Sequence, residues 1–221
     1  MPTGTENREP EVGSDPATIR IVVADDHAIV RTGLNALLGA QPDMDVVGEA
    51  EDGEQAVAQF RLHRPDIVLM DLQMPIRNGL SATTDIRAID PDARIIVLTT
   101  YSGDVQAERA MRAGAVGYLL KTALRTELIG AIRAIHGGER RLSPEVAQEI
   151  AIHAADEALT PREITILQQL SAGLANKVVA RNLSITEQTV KWHLKSIFTK
   201  LRASDRTEAV LKAGRRGVFD L

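Results

Sequence analysis

The spacing of apolar and polar positions changes period repeatedly along this chain, and the changes mark out strands and helices. Ile67, Val68, Leu69 and Met70 form an unbroken apolar run that ends on Asp71, with Pro75 four positions further on. A run without alternation reads as a strand buried on both faces, as in a parallel α/β sheet. Proline cannot extend a central strand, so this one ends near Asp71. An earlier run, Ile19 to Ala24, closes in the same way on Asp25 and Asp26. The spacing then turns helical, with Ile29, Val30, Leu34, Leu37 and Leu38 expected on one face. A strand near 45–50 precedes a helix at 54–62, and a helix near 81–89 follows the Asp71 strand. Residues 94–99 read as a fourth strand and 105–113 as a helix stopped by Gly114, a fitting residue just past a helix end. A short fifth strand at 116–120 leads to an amphipathic helix carrying Leu124, Leu128, Ile129, Ile132 and Ile135. Five strands alternating with five helices predict a doubly wound, five-stranded parallel sheet with right-handed crossovers.

The pattern then becomes all-helical. Gly137 and Gly138 end the first unit, and Ser143-Pro144 starts a helix over about 144–155. Thr160, Pro161 and Glu163 form a capping box with proline at the first helical position. Ile164, Leu167 and Leu170 carry that helix to Gly173. A short helix from Asn176, a turn at 182–185, a longer helix over 186–201 and a last one over 205–214 describe a four-helix module with a helix-turn-helix. The expected division is a disordered tail at 1–17, an α/β domain at 18–136, a helical linker at 137–157 and an all-α domain at 158–221.

Charge separates the two domains. Residues 1–157 hold 15 Lys and Arg against 25 Asp and Glu, whereas residues 158–221 hold 11 against 5. An acidic front and a basic back suggest different partners, nucleic acid for the second. The chain has no cysteine, which excludes disulfides, thiolate catalysis and cysteine-based zinc sites. Its five histidines are scattered, without the spacing of a His-rich metal site. No apolar run approaches the length of a membrane span and no signal segment opens the chain. A soluble cytoplasmic protein without a membrane partner is the expectation.

Open α/β sheets place their ligand crevice at the carboxyl ends of their strands. Asp25, Asp26 and Asp71 all fall there, and three neighbouring carboxylates repel each other unless a cation sits among them. A hard divalent ion with oxygen ligands, Mg²⁺, suits such a pocket.

With Thr99 after the fourth strand and Lys121 after the fifth, residues 19–135 resemble the receiver domain of bacterial response regulators. The resemblance implies that Asp71 accepts a phosphoryl group from a phosphohistidine. It implies that Asp25, Asp26, Asp71 and the backbone carbonyl of Gln73 hold Mg²⁺. Lys121 and the ion would neutralise the transferring phosphoryl oxygens, Thr99 would turn its hydroxyl toward them, and Tyr118 would be the aromatic that moves with Thr99. Gln73 and Tyr101 would border the path of attacking water. Many receivers have proline after the lysine; Thr122 stands there, and no cis bond is expected. A haloacid-dehalogenase-type phosphatase would need an acid where Gln73 stands, and a nucleotide-binding flavodoxin-like domain would need a Gly-rich loop after the first strand. No enzyme activity is expected.

Residues 159–216 resemble the LuxR-type helix-turn-helix through Leu159 to Glu163, Gly173-Leu174, Asn176-Lys177, Thr189 to Lys191 and Lys200-Leu201. Both domains together resemble the NarL/FixJ class of response regulators. A helical wheel over 186–201 puts Val190, Leu194, Ile197 and Leu201 on the core arc. Gln188, Trp192, Lys195 and Thr199 lie opposite, with Lys191 on the flank, as a major-groove helix requires. By resemblance, Ala209, Val210 and Ala213 pair two copies as a homodimer on double-stranded DNA. The reading is a transcription factor whose aspartate is phosphorylated by a sensor histidine kinase, with RNA polymerase as a further partner. The rival is a phosphorylation-independent DNA-binding protein with a vestigial acidic pocket.

Overall fold

A computed structural model describes residues 18–100 and 103–219. The tail at 1–17 and Tyr101 lie outside the described residues. The first domain is one parallel sheet of β1 (Ile19–Ala24), β2 (Met44–Ala50), β3 (Ile67–Asp71), β4 (Ile95–Thr99), β5 (Gly117–Leu120) and β6 (Arg141–Leu142), in the order β2-β1-β3-β4-β5-β6. The five alternating helices are α1 (Ala28–Gly39), α2 (Gly53–His63), α3 (Gly79–Ile89), α4 (Asp104–Arg112) and α5 (Leu124–His136).

The sheet has six strands where five were expected. Arg141 and Leu142 pair with Gly117 and Tyr118, so the start of the expected linker belongs to the sheet. A two-residue strand has no period to read; it forms because β5 presents an open edge beside it.

Alternation within the strands sorts the core into two faces. Ile21, Val23, Leu69, Ile96 and Leu98 pack with Leu34 and Leu38 of α1 and Leu128, Ile132 and Ile135 of α5. Val22, Val68, Met70 and Ile95 pack with Phe60 of α2 and Ile86 of α3. Every residue of β3 and β4 is buried, as strands covered on both faces must be. Full burial of each large apolar side chain contributes about 1.5–3 kcal/mol. Ile29 departs from expectation: it is 84% exposed, while Arg31 of α1 is buried with Leu34 and Leu38. Ile29 lies five residues before Leu34, about 140° away on the helix at 3.6 residues per turn.

The all-α part comprises α6 (Pro144–His153), α7 (Pro161–Ser171), α8 (Asn176–Asn182), α9 (Glu187–Lys200) and α10 (Arg206–Arg215). Helix α6 packs on α4, with Val146 buried beside Ala107, Ala110 and Tyr118. Ile166, Leu167, Val179, Val190, Ile197, Ala209 and Ala213 form a separate core around α7 to α10. The expected capping box opens α7: Thr160 Oγ1 accepts from Glu163 N, and Glu163 Oε2 accepts from Thr160 N.

The two domains meet along the first two turns of α4. Val105 N donates to the Arg216 carbonyl at 3.1 Å, and Arg109 Nη1 donates to the Val218 carbonyl at 3.1 Å. A side chain at Gly103 would collide with the backbone of Arg215 and Arg216, so glycine is what allows this approach.

Candidate functional site: an acidic pocket and an exposed helix

Strand order reverses direction at β1 and β3, which places the ends of these two strands at the topological switch point. Ala24 is in register with Met70, so Asp25 and Asp71 emerge side by side. Asp71 is held by the turn behind it. Gly79 N donates to the Leu72 carbonyl at 3.0 Å, and a Cβ at Gly79 would run into the Asp71 carbonyl.

Lys121 reaches in from the end of β5. Its Nζ donates to Asp71 Oδ2 at 2.8 Å and stands 2.6 Å from Asp25 Oδ2, the latter an ion pair without hydrogen-bond alignment. Asp71 Oδ1 accepts from Gln73 N at 3.3 Å, and Asp25 Oδ1 accepts from His27 N at 2.9 Å. Burial pushes the Asp71 carboxyl above its ordinary pKa, and Asp25 adds to this, against the opposing pull of Lys121. Burial disfavours the Lys121 cation, but Asp25 and Asp71 outweigh it and hold its pKa above the ordinary lysine value. Every peptide bond among the described residues is trans, that between Lys121 and Thr122 included.

Ligand atoms of Asp25, Asp26, His27 and Asp71 lie within 4.8 Å of one another. Three carboxylates supply hard oxygen donors, and the buried Asp25 Oδ2 has no aligned donor. The set fits Mg²⁺. His27 was not expected here; its Nδ1 stands 2.7 Å from Asp26 Oδ1. Its place directly after two acids was the available signal.

Thr99 and Tyr118 are buried and hydrogen-bonded to each other. Burial raises the phenol pKa of Tyr118 above the usual tyrosine value. Its hydroxyl also donates to Gln106 Oε1 at 3.3 Å, and Gln106 sits against Gly217 of the second domain. Tyr118 therefore lies between the acidic pocket and the domain contact. Nothing in the sequence marked Gln106, because its partners are distant along the chain.

On α9, Val190, Leu194 and Ile197 are buried, as is Leu201 just beyond its end. Gln188, Lys191, Trp192, Lys195 and Thr199 are all exposed, and Trp192 is 66% exposed. The residues expected to pair two copies require a correction. Ala209 and Ala213 are fully buried in the core of their own domain and offer nothing to a second chain. Val210 is half-buried; the outward stripe of α10 is Thr207, Leu211 and Arg215. The wheel shows which residues share a face but not which face meets the core.

Two family models match the chain: the response regulator receiver domain over residues 21–133, and bacterial regulatory proteins of the luxR family over residues 157–213. The transcriptional regulatory protein LiaR of Bacillus subtilis is 42% identical over 205 residues, covering 89% of this chain and 97% of that protein. The crystal structure of the response regulator ChrA of a heme-sensing two-component system is 38% identical, covering 92% of this chain and 100% of the other, with a TM-score of 0.55. A complex of the response regulator RcsB with DNA is 23% identical, covering 90% of this chain and 98% of the other, with a TM-score of 0.68, and shares the fold.

Proposed function

This chain belongs to the two-component response regulators that join a receiver domain to a LuxR-type DNA-binding domain, and from that premise we propose that Asp71 takes a phosphoryl group from a sensor histidine kinase and thereby controls sequence-specific DNA binding. The family is one of transcription regulators, not of enzymes. The observation that carries the proposal is Lys121 Nζ standing within 2.8 Å of both Asp25 and Asp71 at the switch point of the sheet. A lysine held there can shield the charge on a phosphoryl oxygen beside the nucleophile.

In the reaction a carboxylate oxygen of Asp71 forms a bond to phosphorus as the P–N bond of the phosphohistidine breaks, and the imidazole nitrogen keeps the electron pair and takes a proton. Mg²⁺, when bound, supplies charge neutralisation to the phosphoryl oxygens. Asp26, Asp71 and the Gln73 carbonyl would hold it, with Asp25 helping. Thr99 would turn toward the new phosphoryl group. Tyr118 would follow, leaving Gln106 and altering the α4 contact with the second domain.

In the second domain the exposed face of α9 enters the major groove, with Gln188 and Trp192 at base edges and Lys191, Lys195 and Thr199 at phosphates. Two copies pair on DNA through the outward face of α10 and recruit RNA polymerase. The proposed functional division is 18–136 for the receiver, 137–157 for a linker whose Arg141 and Leu142 extend the receiver sheet, and 158–221 for the DNA-binding domain. No helix among the described residues is long and apolar enough to cross a membrane.

The test is to incubate the protein with Mg²⁺ and acetyl phosphate and weigh it. Wild type should gain one phosphoryl group and Asp71→Asn none. An unlabelled wild type would favour a vestigial pocket, and a labelled Asp71→Asn would place the acceptor elsewhere.

A further inference from the structure

Behind the acidic pocket lies a cation that the phosphoryl chemistry described above does not use. Arg31 of α1 is 8% exposed, and each of its three guanidinium nitrogens has its own acceptor. Nη1 donates to the backbone carbonyl of Asp25 at 2.8 Å, Nη2 donates to Glu51 Oε1 at 2.7 Å, and Nε donates to Glu49 Oε2 at 3.2 Å. Glu49 is further held by Asn35, whose Nδ2 donates to its Oε1 at 2.7 Å.

These bonds join three elements. The Asp25 carbonyl belongs to the peptide group that links Asp25 to Asp26. The Asp25 N–H is already fixed, donating to the Ala50 carbonyl of β2 at 3.1 Å. Arg31 fixes the other side of the same residue, anchored on the two glutamates at the end of β2. With both backbone groups of Asp25 tied to β2, the direction in which Asp26 leaves the chain is set relative to Asp71. A planar fork can hold three acceptors at once; an ammonium on a flexible stem cannot hold them in one plane.

We propose that Arg31 is a positioning residue for the divalent-cation pocket. Clamped between Glu49 and Glu51, it orients the Asp25–Asp26 peptide so that the Asp26 carboxylate converges with Asp71 on the ion. Its role is geometric, because two adjacent carboxylates offset its own charge at short range. Outer partners that orient metal ligands typically contribute 10-fold to 100-fold in affinity. The proposal rests on the reading of the pocket as a Mg²⁺ site.

The experiment is a Mg²⁺ titration of the full-length, unphosphorylated protein, followed by backbone amide NMR shifts, with Tm recorded for each variant. Arg31→Lys keeps the charge and loses the fork; it should bind Mg²⁺ about 10-fold more weakly. Should that variant not fold, the Glu49→Ala/Glu51→Ala pair releases the guanidinium from two half-exposed partners without disturbing the core, and the same loss is expected. Glu49→Gln/Glu51→Gln retains both acceptors without their charge and should stay within about threefold of wild type. A folded Arg31→Lys or alanine pair with wild-type Mg²⁺ affinity and only a lower Tm would reduce Arg31 to a staple between α1 and β2. A glutamine pair as weak as the alanine pair would make the effect one of charge. If wild type itself shows no Mg²⁺-dependent shifts, the reading of the pocket as a cation site falls, and the role of Arg31 falls with it.

Discussion

Arg216 grips Asp104 across the domain boundary, with Nε 3.0 Å from Oδ1 and Nη2 2.8 Å from Oδ2. Both side chains are largely buried, and Arg216 Nη1 also reaches Asp156 Oδ2 at 3.3 Å. Two parallel charge-assisted bonds make a strong, directional pair. Asp104 opens α4, two residues before Gln106, the residue that bonds Tyr118. The fork thus fastens the second domain to the helix turn nearest the buried Thr99 and Tyr118.

Removing the fork should loosen the domains without unfolding either. Arg216→Ala is expected to enlarge the radius of gyration measured by small-angle scattering. A double-mutant cycle with Asp104→Asn in urea should return a coupling of about 1.5–3 kcal/mol. Additive effects and an unchanged radius would show that the domains are held by other contacts.

The Asp71 carboxyl has its pKa raised by burial, so its ionised form costs stability in the folded state. Its folded value lies above its unfolded one; stability is therefore greatest when it is protonated and declines as pH rises through the folded pKa. Asp71→Asn should accordingly be more stable than wild type at pH 7, with the advantage fading as acid protonates the wild-type aspartate. Tm measured across pH for both proteins decides this. An asparagine variant less stable at neutral pH would mean that its bond to Lys121 outweighs burial.

Glu163 shows the opposite sign. Burial pushes its carboxyl up, but bonds from Ser196, Thr160 and Lys200 prevail and bring the pKa down from 4.5 to about 2. Stability from this group is complete above about 4.5 and is lost as pH falls toward about 2. Glu163→Gln should flatten that acid limb. It should cost about 3 kcal/mol at pH 7, at the low end for a broken buried pair, because Lys200 keeps Glu157 at 3.2 Å and the Ala158 carbonyl at 3.1 Å. Urea unfolding at pH 7 and pH 3 separates the two effects.

Trp192, the single tryptophan, is 66% exposed on α9, its ring edge-on to that of His193 at 4.9 Å between centroids. Its fluorescence should change when cognate DNA is added. Trp192→Ala should lower the ratio of specific to non-specific binding, because an indole offers thymine methyls an apolar face. Lys191→Ala should weaken both kinds of binding and reduce the salt slope by about one unit. An indole signal indifferent to DNA, with an unchanged ratio in Trp192→Ala, would move base reading to another surface.

Leu211 is 49% exposed in the outward stripe of α10. Leu211→Glu should leave the fold intact and weaken pairing on DNA by about 10-fold, equivalent to about 1.4 kcal/mol. Ala213→Leu should instead destabilise the domain by about 1–3 kcal/mol through overpacking. Sedimentation with a two-half-site duplex distinguishes loss of pairing from loss of folding.

Features that repeat locally could be read from the order of residues alone. The unbroken run before Asp71, the helical spacing of Leu128, Ile132 and Ile135, the capping box at Thr160 and the core arc of α9 each lie within a few turns of chain. Backbone geometry alone relates their members. The acids at strand ends were legible for the same reason, since a strand end is a local event and a shared sheet brings such ends together. The remaining features depend on packing between distant segments. Arg31 is spaced like a core residue, three before Leu34, yet its burial depends on acceptors at the carboxyl ends of β1 and β2. Ala209 and Ala213 share a face, but only packing against α7 and α9 makes that face the inside. Leu142 becomes a strand because β5 lies next to it, and Arg216 finds Asp104 112 residues away. Periodicity specifies which residues point the same way; what they point at depends on surfaces assembled from distant parts of the chain, and no local spacing encodes them.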